Sequence, residues 1–262
     1  MLKKRIIPKI LIKKKNLKNE NIIVSLTTKK FKDNRIIGDP KSQATIFNDS
    51  KADEIILIDL DHCILEQEKL ELISNISRNI FIPFTVGGGV KTIDDIRILL
   101  SKGADRVIIN TSVLNSYTED LIKKASSYFG SQCIVASVDI KSNDHNYSIY
   151  NYSNKNLLDI TIKDFMIKLQ KLNIGEIMIT DVDRDGCQVG FDKNFFEIIK
   201  EFIKVPTIIS GGCANFNDFL FAFNFLKVDA VASGTFFSQH DQSVFQTKNH
   251  LSDLGIAMRL DY

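Results

Sequence analysis

The sequence is poor in cysteine and has no long apolar run. Its four cysteines, Cys63, Cys133, Cys187 and Cys213, lie far apart, with no Cys-x-x-Cys pair among them. That spacing argues against a disulfide framework and a structural zinc site, and suits a reducing, cytoplasmic compartment. No stretch approaches the ~18 apolar residues of a membrane span. The opening MLKKRIIPKILIKKK is basic but lacks a long apolar core and a small-residue cleavage site, so no signal peptide is expected. An excess of one charge is also missing, with 34 basic against 32 acidic residues and a formal net charge of +2. Nothing in that balance calls for a nucleic acid partner. The basic stretches KKKNLK (13–18) and KKFK (29–32) read as solvated loop, with weak phosphate steering as the alternative.

What is present is an alternation. Short β-branched runs at 6–12, 54–61, 81–89, 105–110, 133–141, 176–183, 205–212 and 229–237 count to eight strands, most of them followed by amphipathic, helix-like segments. The first, IIPKILI, is followed by what reads as a loop. Continuously apolar strands suit a parallel sheet buried on both faces. Eight such units in 262 residues predict an α/β fold of the (β/α)8 barrel type, with a doubly wound open sheet as the alternative.

The chain also repeats itself. DEIILIDLD (53–61) aligns with GEIMITDVD (175–183), setting Glu54 over Glu176, Asp59 over Asp181 and Asp61 over Asp183. IPFTVGGG (82–89) aligns with VPTIISGG (205–212), and Asp95 falls over Asp218. IIPKILIK (6–13) aligns with IVASVDIK (134–141), pairing Lys13 with Lys141 and Leu11 with Asp139. An internal twofold, with half-barrels at about 1–130 and 131–262 of a single domain, accounts for these matches.

In such a barrel the active face lies at the C-terminal ends of the strands. The turns Gly88–Gly89 and Gly211–Gly212 fall at two such ends, where exposed backbone N–H groups bind phosphate. Asn110 and Thr111 flank the first turn, and Ser233 and Gly234 the second. Two phosphate sites across one mouth suit a long ligand phosphorylated at both ends; tight β–α turns are the plainer reading. Between them lie carboxylates. Asp139, beside Lys141, is the best single candidate for acid–base work. A structural ion pair is its alternative. Asp183 and Asp185 divide between loop-shaping and catalysis.

The stretches KRIIP, GDP (38–40), ADEIILID, FIPFTVGGG, KGADRVIIN, FGSQCIVASVDIK, GEIMITDVDRDG, VPTIISGG and GTFF together resemble the cyclase subunit of imidazole glycerol phosphate synthase over nearly the whole chain. The resemblance implies a twofold barrel with two phosphate sites, to which the DRDG turn adds Asp185 and Gly186. It implies no metal or cofactor, and a glutaminase docked on the opposite face as a heterodimer. Ammonia from that partner would cross the barrel to a ribulosyl bisphosphorylated carboxamide precursor, closing an imidazole ring and releasing an aminoimidazole nucleotide. The charged ring at the barrel's lower entrance falls on Arg5, Glu54, Arg106 and Glu176, with arginine for the usual lysine at 106. Asp105 matches a residue facing the glutaminase.

The departures are specific. The family's two catalytic aspartates fall on Asp139 and Leu11, so one is absent. Loss of an acid–base group costs roughly 10²–10⁴ in rate. The following loop (13–37) is enlarged, and its expected lysine is displaced, with Thr27 near its place and Lys29 or Lys30 close by. Cys187 stands where threonine is usual, and Ile108 where the channel usually has a small hydroxyl residue. This pattern resembles a family branch that works with a glutaminase and a sugar amidotransferase on acetamidino sugars of surface polysaccharide, the barrel relaying ammonia. The leading expectation is that relay. The runner-up is a histidine-pathway cyclase in which Asp59 or a loop lysine replaces the missing acid. An isomerase of the sister family and a silent glutaminase activator complete the alternatives.

Overall fold

The computed structural model describes residues 2–17, 20–110, 115–143, 146–152, 154–239 and 243–260. Eight parallel strands close into a barrel: β1 (Arg5–Leu17), β2 (Ile55–Asp59), β3 (Phe84–Gly87), β4 (Arg106–Asn110), β5 (Ile134–Asn143), β6 (Glu176–Asp181), β7 (Thr207–Ser210) and β8 (Ala230–Ser233). Each pairs with the next, and β8 returns to β1 in register from Arg5↔Ala230 to Pro8↔Ser233. Helices surround this (β/α)8 barrel. Among the described residues, no helix is long and apolar enough to cross a membrane.

The period-2 alternation of a strand divides the apolar residues into two cores. Ile6, Ile10 and Ile12 of β1 face the helices and join the large outer cluster. Ile7, Ile56, Ile108, Val135, Met178 and Ile208 face inward as a separate buried layer, completed by Ala230 and Ala232.

The internal repeat reaches the helix starts. Thr92 and Asp95 form a capping box on helix Ile93–Ser101, and Asn215 and Asp218 form one on helix Phe216–Phe221. Asp95 also accepts from Lys91 N and Asp218 from Ala214 N, each at 2.7 Å. Each box satisfies otherwise unpaired N–H groups directly after one of the Gly-Gly turns and so fixes that turn's exit.

One segment differs from expectation. The lysine-rich stretch after the first apolar run is not a loop. β1 continues to Leu17 and pairs antiparallel with Glu20–Lys29, which pairs in turn with Asp33–Gly38. Val24 and Leu26 are buried by this hairpin. Lys13, Lys14 and Lys15 are consecutive and pair with Val24, Ile23 and Ile22, so their basic composition masked the strand. A second hairpin, Asn146–Asn151, folds back on β5.

Candidate active site

At the N-terminal end of the barrel, four charged side chains meet. Arg5 donates to Glu54 at 2.9 Å and is ion-paired with Glu176. Arg106 lies 3.2 Å from Glu54 and 2.7 Å from Glu176. Each guanidinium therefore touches both carboxylates, which are all but fully buried. Burial pushes the Glu54 carboxyl up from its ordinary value, against the pull of Arg106 and Arg5. Burial alone would depress the Arg5 guanidinium, yet Glu176 and Glu54 hold it above its ordinary value. Thr85 Oγ1 donates to Glu54 at 2.5 Å and fixes that corner. Asp105 is exposed on the same face and accepts from Phe84 N at 2.8 Å.

Above the ring lies the inward apolar layer, and above that a cavity of about 380 Å³ at the C-terminal mouth. The inward face of β1 carries Arg5, Ile7, Lys9, Leu11 and Lys13 in succession. Lys9, Leu11 and Lys13 line the cavity with Asp139, Asn110, Ser137 and Thr180. Leu11 offers the cavity only methyl groups where its repeat partner Asp139 offers a carboxylate.

Asp139 is buried, and Asn110 Nδ2 donates to it at 2.7 Å. Burial pushes its carboxyl up to about 6, opposed by the Asn110 hydrogen bond and by Lys9. Such a group is part-ionised near neutral pH, as proton transfer requires. The neighbour expected from the sequence, Lys141, instead lies over the Tyr150 ring. Asp59 does not line the cavity. It is fully buried, accepting from Asp61 N, Cys63 N and Lys69 Nζ at 3.1, 2.8 and 2.9 Å. Its carboxylate shapes its loop and is turned to these partners away from the cavity. Asp183 likewise accepts from Ser142 N at 3.0 Å.

The two Gly-Gly turns are alike in backbone and unlike in setting. All four glycines have positive φ, and a Cβ on Gly89 or Gly212 would strike the carbonyl of His62 or Gly190 respectively. Gly88 and Gly89 are half-buried and line the cavity with Lys91. Gly211, Gly212 and Ser233 are buried, and neither they nor Gly234 line it. Asp185 and Gly186 sit under the first hairpin: Thr28 Oγ1 donates to Asp185 at 2.6 Å, and Lys30 N donates to its carbonyl at 2.8 Å. Thr111 lies outside the described residues.

Several site residues escaped the sequence reading. Lys9 is buried, donating to Ser210 Oγ at 2.9 Å and to Asp185 Oδ1 at 3.3 Å. Strand alternation from Arg5 puts it on the inward face, a signal hidden by treating IIPKILI as uniformly apolar. Phe31, Tyr152 and His62 also line the cavity, and the Tyr152 ring contacts both others at 5.7–5.8 Å between centroids. They join the two hairpins to the β2 loop, a long-range contact with no local sequence signature. Thr27, Lys29 and Lys30 do not line the cavity; Thr28 and Lys13 do.

Comparison with known proteins agrees with this architecture. The family model for "Histidine biosynthesis protein" matches residues 5–243. "Imidazole glycerol phosphate synthase subunit HisF" of Natranaerobius thermophilus is 33% identical over 261 residues, covering 99% of this chain and 100% of the relative. "Putative imidazole glycerol phosphate synthase subunit hisF2" of Campylobacter jejuni is 36% identical over 260 residues, with the same coverage. A protein of that same name from Prochlorococcus marinus is 34% identical over 267 residues and matches end to end. With one charged ring at the barrel floor, a carboxylic acid at its mouth and relatives matched along their whole length, this chain belongs to the HisF-like histidine biosynthesis protein family.

Proposed function

We propose that this chain is the ammonia-using synthase subunit of a glutamine amidotransferase pair of the imidazole glycerol phosphate synthase type, working as one barrel on a phosphorylated acceptor. The observation that carries this reading is the axial order of the barrel: a charged ring, an apolar sleeve, then a buried carboxyl and an open Gly-Gly turn. A glutaminase would dock on the N-terminal face, where Asp105 and Phe81 are exposed, and release ammonia against Arg5, Glu54, Arg106 and Glu176. Neutral ammonia can cross an apolar sleeve, whereas ammonium would lose its hydration there without recompense. At the mouth, the Gly88–Gly89 turn and Lys91 would hold a phosphate. Asp139 would take a proton from the attacking nitrogen and return one to the departing oxygen as a carbonyl becomes an imine. Its carboxyl near 6 suits both directions.

Membership of the histidine biosynthesis protein family and similarity to imidazole glycerol phosphate synthase subunits favour the histidine pathway, in which the acceptor is the ribulosyl carboxamide precursor. Leu11 favours a second reading. With one carboxylate in place of two, the barrel would pass ammonia to another acceptor, as in acetamidino-sugar synthesis with a sugar amidotransferase. Both readings set the complex in the cytoplasm. The deciding experiment supplies the purified chain with the ribulosyl precursor and an ammonium salt. Turnover at about 1–10³ per second makes it a histidine-pathway cyclase. Absence of turnover, with glutaminase binding retained, assigns it to another acceptor. Absence of both would sink the proposal.

A further inference from the structure

We infer that the mouth of this barrel takes an acceptor carrying a single phosphate, held at the Gly88–Gly89 turn, because Lys9 walls the matching turn of the second half off from the cavity. The inference rests on the proposed function only in reading Gly88–Gly89 as a phosphate turn.

The repeat predicts two equivalent cradles, and the cavity reaches one. Gly88, Gly89 and Asn110 line it, whereas no residue of β7, β8 or the turns that follow them does. What intervenes is a continuous polar wall. It runs from Ser210 of β7 to Lys9 of β1, on to Asp185 in the turn after β6, and then to Thr28 in the hairpin, through contacts of 2.9, 3.3 and 2.6 Å. All four side chains are buried. The backbone closes the same seam, since Lys30 N bonds the Asp185 carbonyl and a Cβ at Gly186 would strike the Thr28 carbonyl.

Within this wall, Lys9 is a side chain that differs between the two halves. Under the repeat that sets Leu11 on Asp139, Lys9 falls on Ser137. Serine is too short to cross the mouth, so the first cradle stays open. Lysine at the twofold-related position reaches across and ties down the carboxylate beside the second cradle. Charge follows the same division. The Lys9 ammonium is engaged by Asp185, while Lys91 lines the cavity beside the open turn. An anion is therefore favoured at one end only. Beside the open cradle, Asp139, Ser137 and Thr180 offer hydrogen bonds to an uncharged polar group such as a carbonyl or hydroxyl.

The test is the stoichiometry of phosphate binding by the full chain, read by titration calorimetry with glycerol phosphate. The wild-type protein is expected to bind one equivalent, and Lys9→Ser two. Two equivalents on the wild type, or one on a folded Lys9→Ser variant, would overturn the inference. Should Lys9→Ser fail to fold, the wild-type count still decides. Thr28→Val, which frees Asp185 from the hairpin, then serves as the second variant and is expected to add a weaker second site; one equivalent on it would count against the wall. No binding at all would remove the phosphate reading of Gly88–Gly89 and this inference with it. Failure of ammonia-dependent turnover, by contrast, would sink the proposed activity and leave the count of phosphates untouched.

Discussion

Asn110 and Asp139, on neighbouring strands at the barrel mouth, are joined by a 2.7 Å hydrogen bond from the amide Nδ2 to the carboxylate Oδ2. The bond favours the ionised acid and burial opposes it, and burial wins, raising the carboxyl to about 6. In the folded chain the acid keeps its proton to about pH 6, whereas an unperturbed aspartate loses it near 3.8. Between those values the unfolded state binds fewer protons, so Asp139 lowers stability as pH rises, by about 3 kcal/mol in all. Asp139→Asn should therefore be more stable than wild type at pH 7.5, with the gain shrinking towards pH 4. Urea denaturation at several pH values reads this. A flat difference would mean the carboxyl titrates normally.

The same variant should lose roughly 10²–10⁴ in ammonia-dependent rate on the true acceptor. If Asp139 acts first as a base, the wild-type rate at constant free ammonia should rise through about pH 6 and level above it. A pH–rate profile with no inflection there would remove Asp139 from the proton transfer.

Arg5→Ala takes one of two cations from a ring whose carboxylates are almost fully buried. Breaking a buried pair costs about 3–5 kcal/mol, moderated here because Arg5 is itself partly exposed and Arg106 remains in contact with both acids. Thermal denaturation should show a clear fall in midpoint. In complex with a glutaminase, glutamine-driven turnover should fall further than turnover driven by ammonium salt, because the salt enters from the mouth. Equal losses would make the ring purely structural.

Gly186 has a φ of +67°, and a Cβ there would collide with the Thr28 carbonyl. Gly186→Ala should push the hairpin off the turn after β6 and expose Lys29, Lys30 and Lys32 to trypsin. Limited proteolysis should cut the variant within this hairpin at least ~10-fold faster than wild type. Unchanged cleavage would mean the hairpin is held mainly from elsewhere.

Leu11→Asp restores the second carboxylate, with the Lys9 ammonium on the same inward face to favour its ionised form. On a single-phosphate mouth the change should leave turnover of the bisphosphorylated ribulosyl precursor at background. Leu11→Asp together with Lys9→Ser should raise it at least ~10-fold. Rescue by Leu11→Asp alone would make the missing acid the whole difference.

How far the sequence reaches depends on the range of the interaction. The barrel was legible because each strand declares itself in a few apolar residues, whereas the ring was legible only through the family resemblance, since Arg5, Glu54, Arg106 and Glu176 read by themselves as ordinary strand-end charges. Asp139 was legible through its strand-end position. Lys9 was not, since a lone lysine in an apolar run reads as noise until its inward neighbours are known. The burial of Asp59 against Lys69, ten residues on, depends on how one helix seats on the barrel. The roof of Phe31, His62 and Tyr152 gathers residues from three separate loops, and no local pattern encodes such a meeting.

The first strand runs unbroken for 13 residues, from Arg5 to Leu17. At roughly 3.3 Å per residue it spans about 40 Å. Its lower part is held on both sides by β8 and β2, and its upper part becomes one leg of the hairpin over the mouth. The same ribbon thus carries a floor guanidinium, a sleeve isoleucine, the wall lysine and the base of the roof. Floor and roof are therefore set by the register of a single strand, and neither can be re-registered without moving the other.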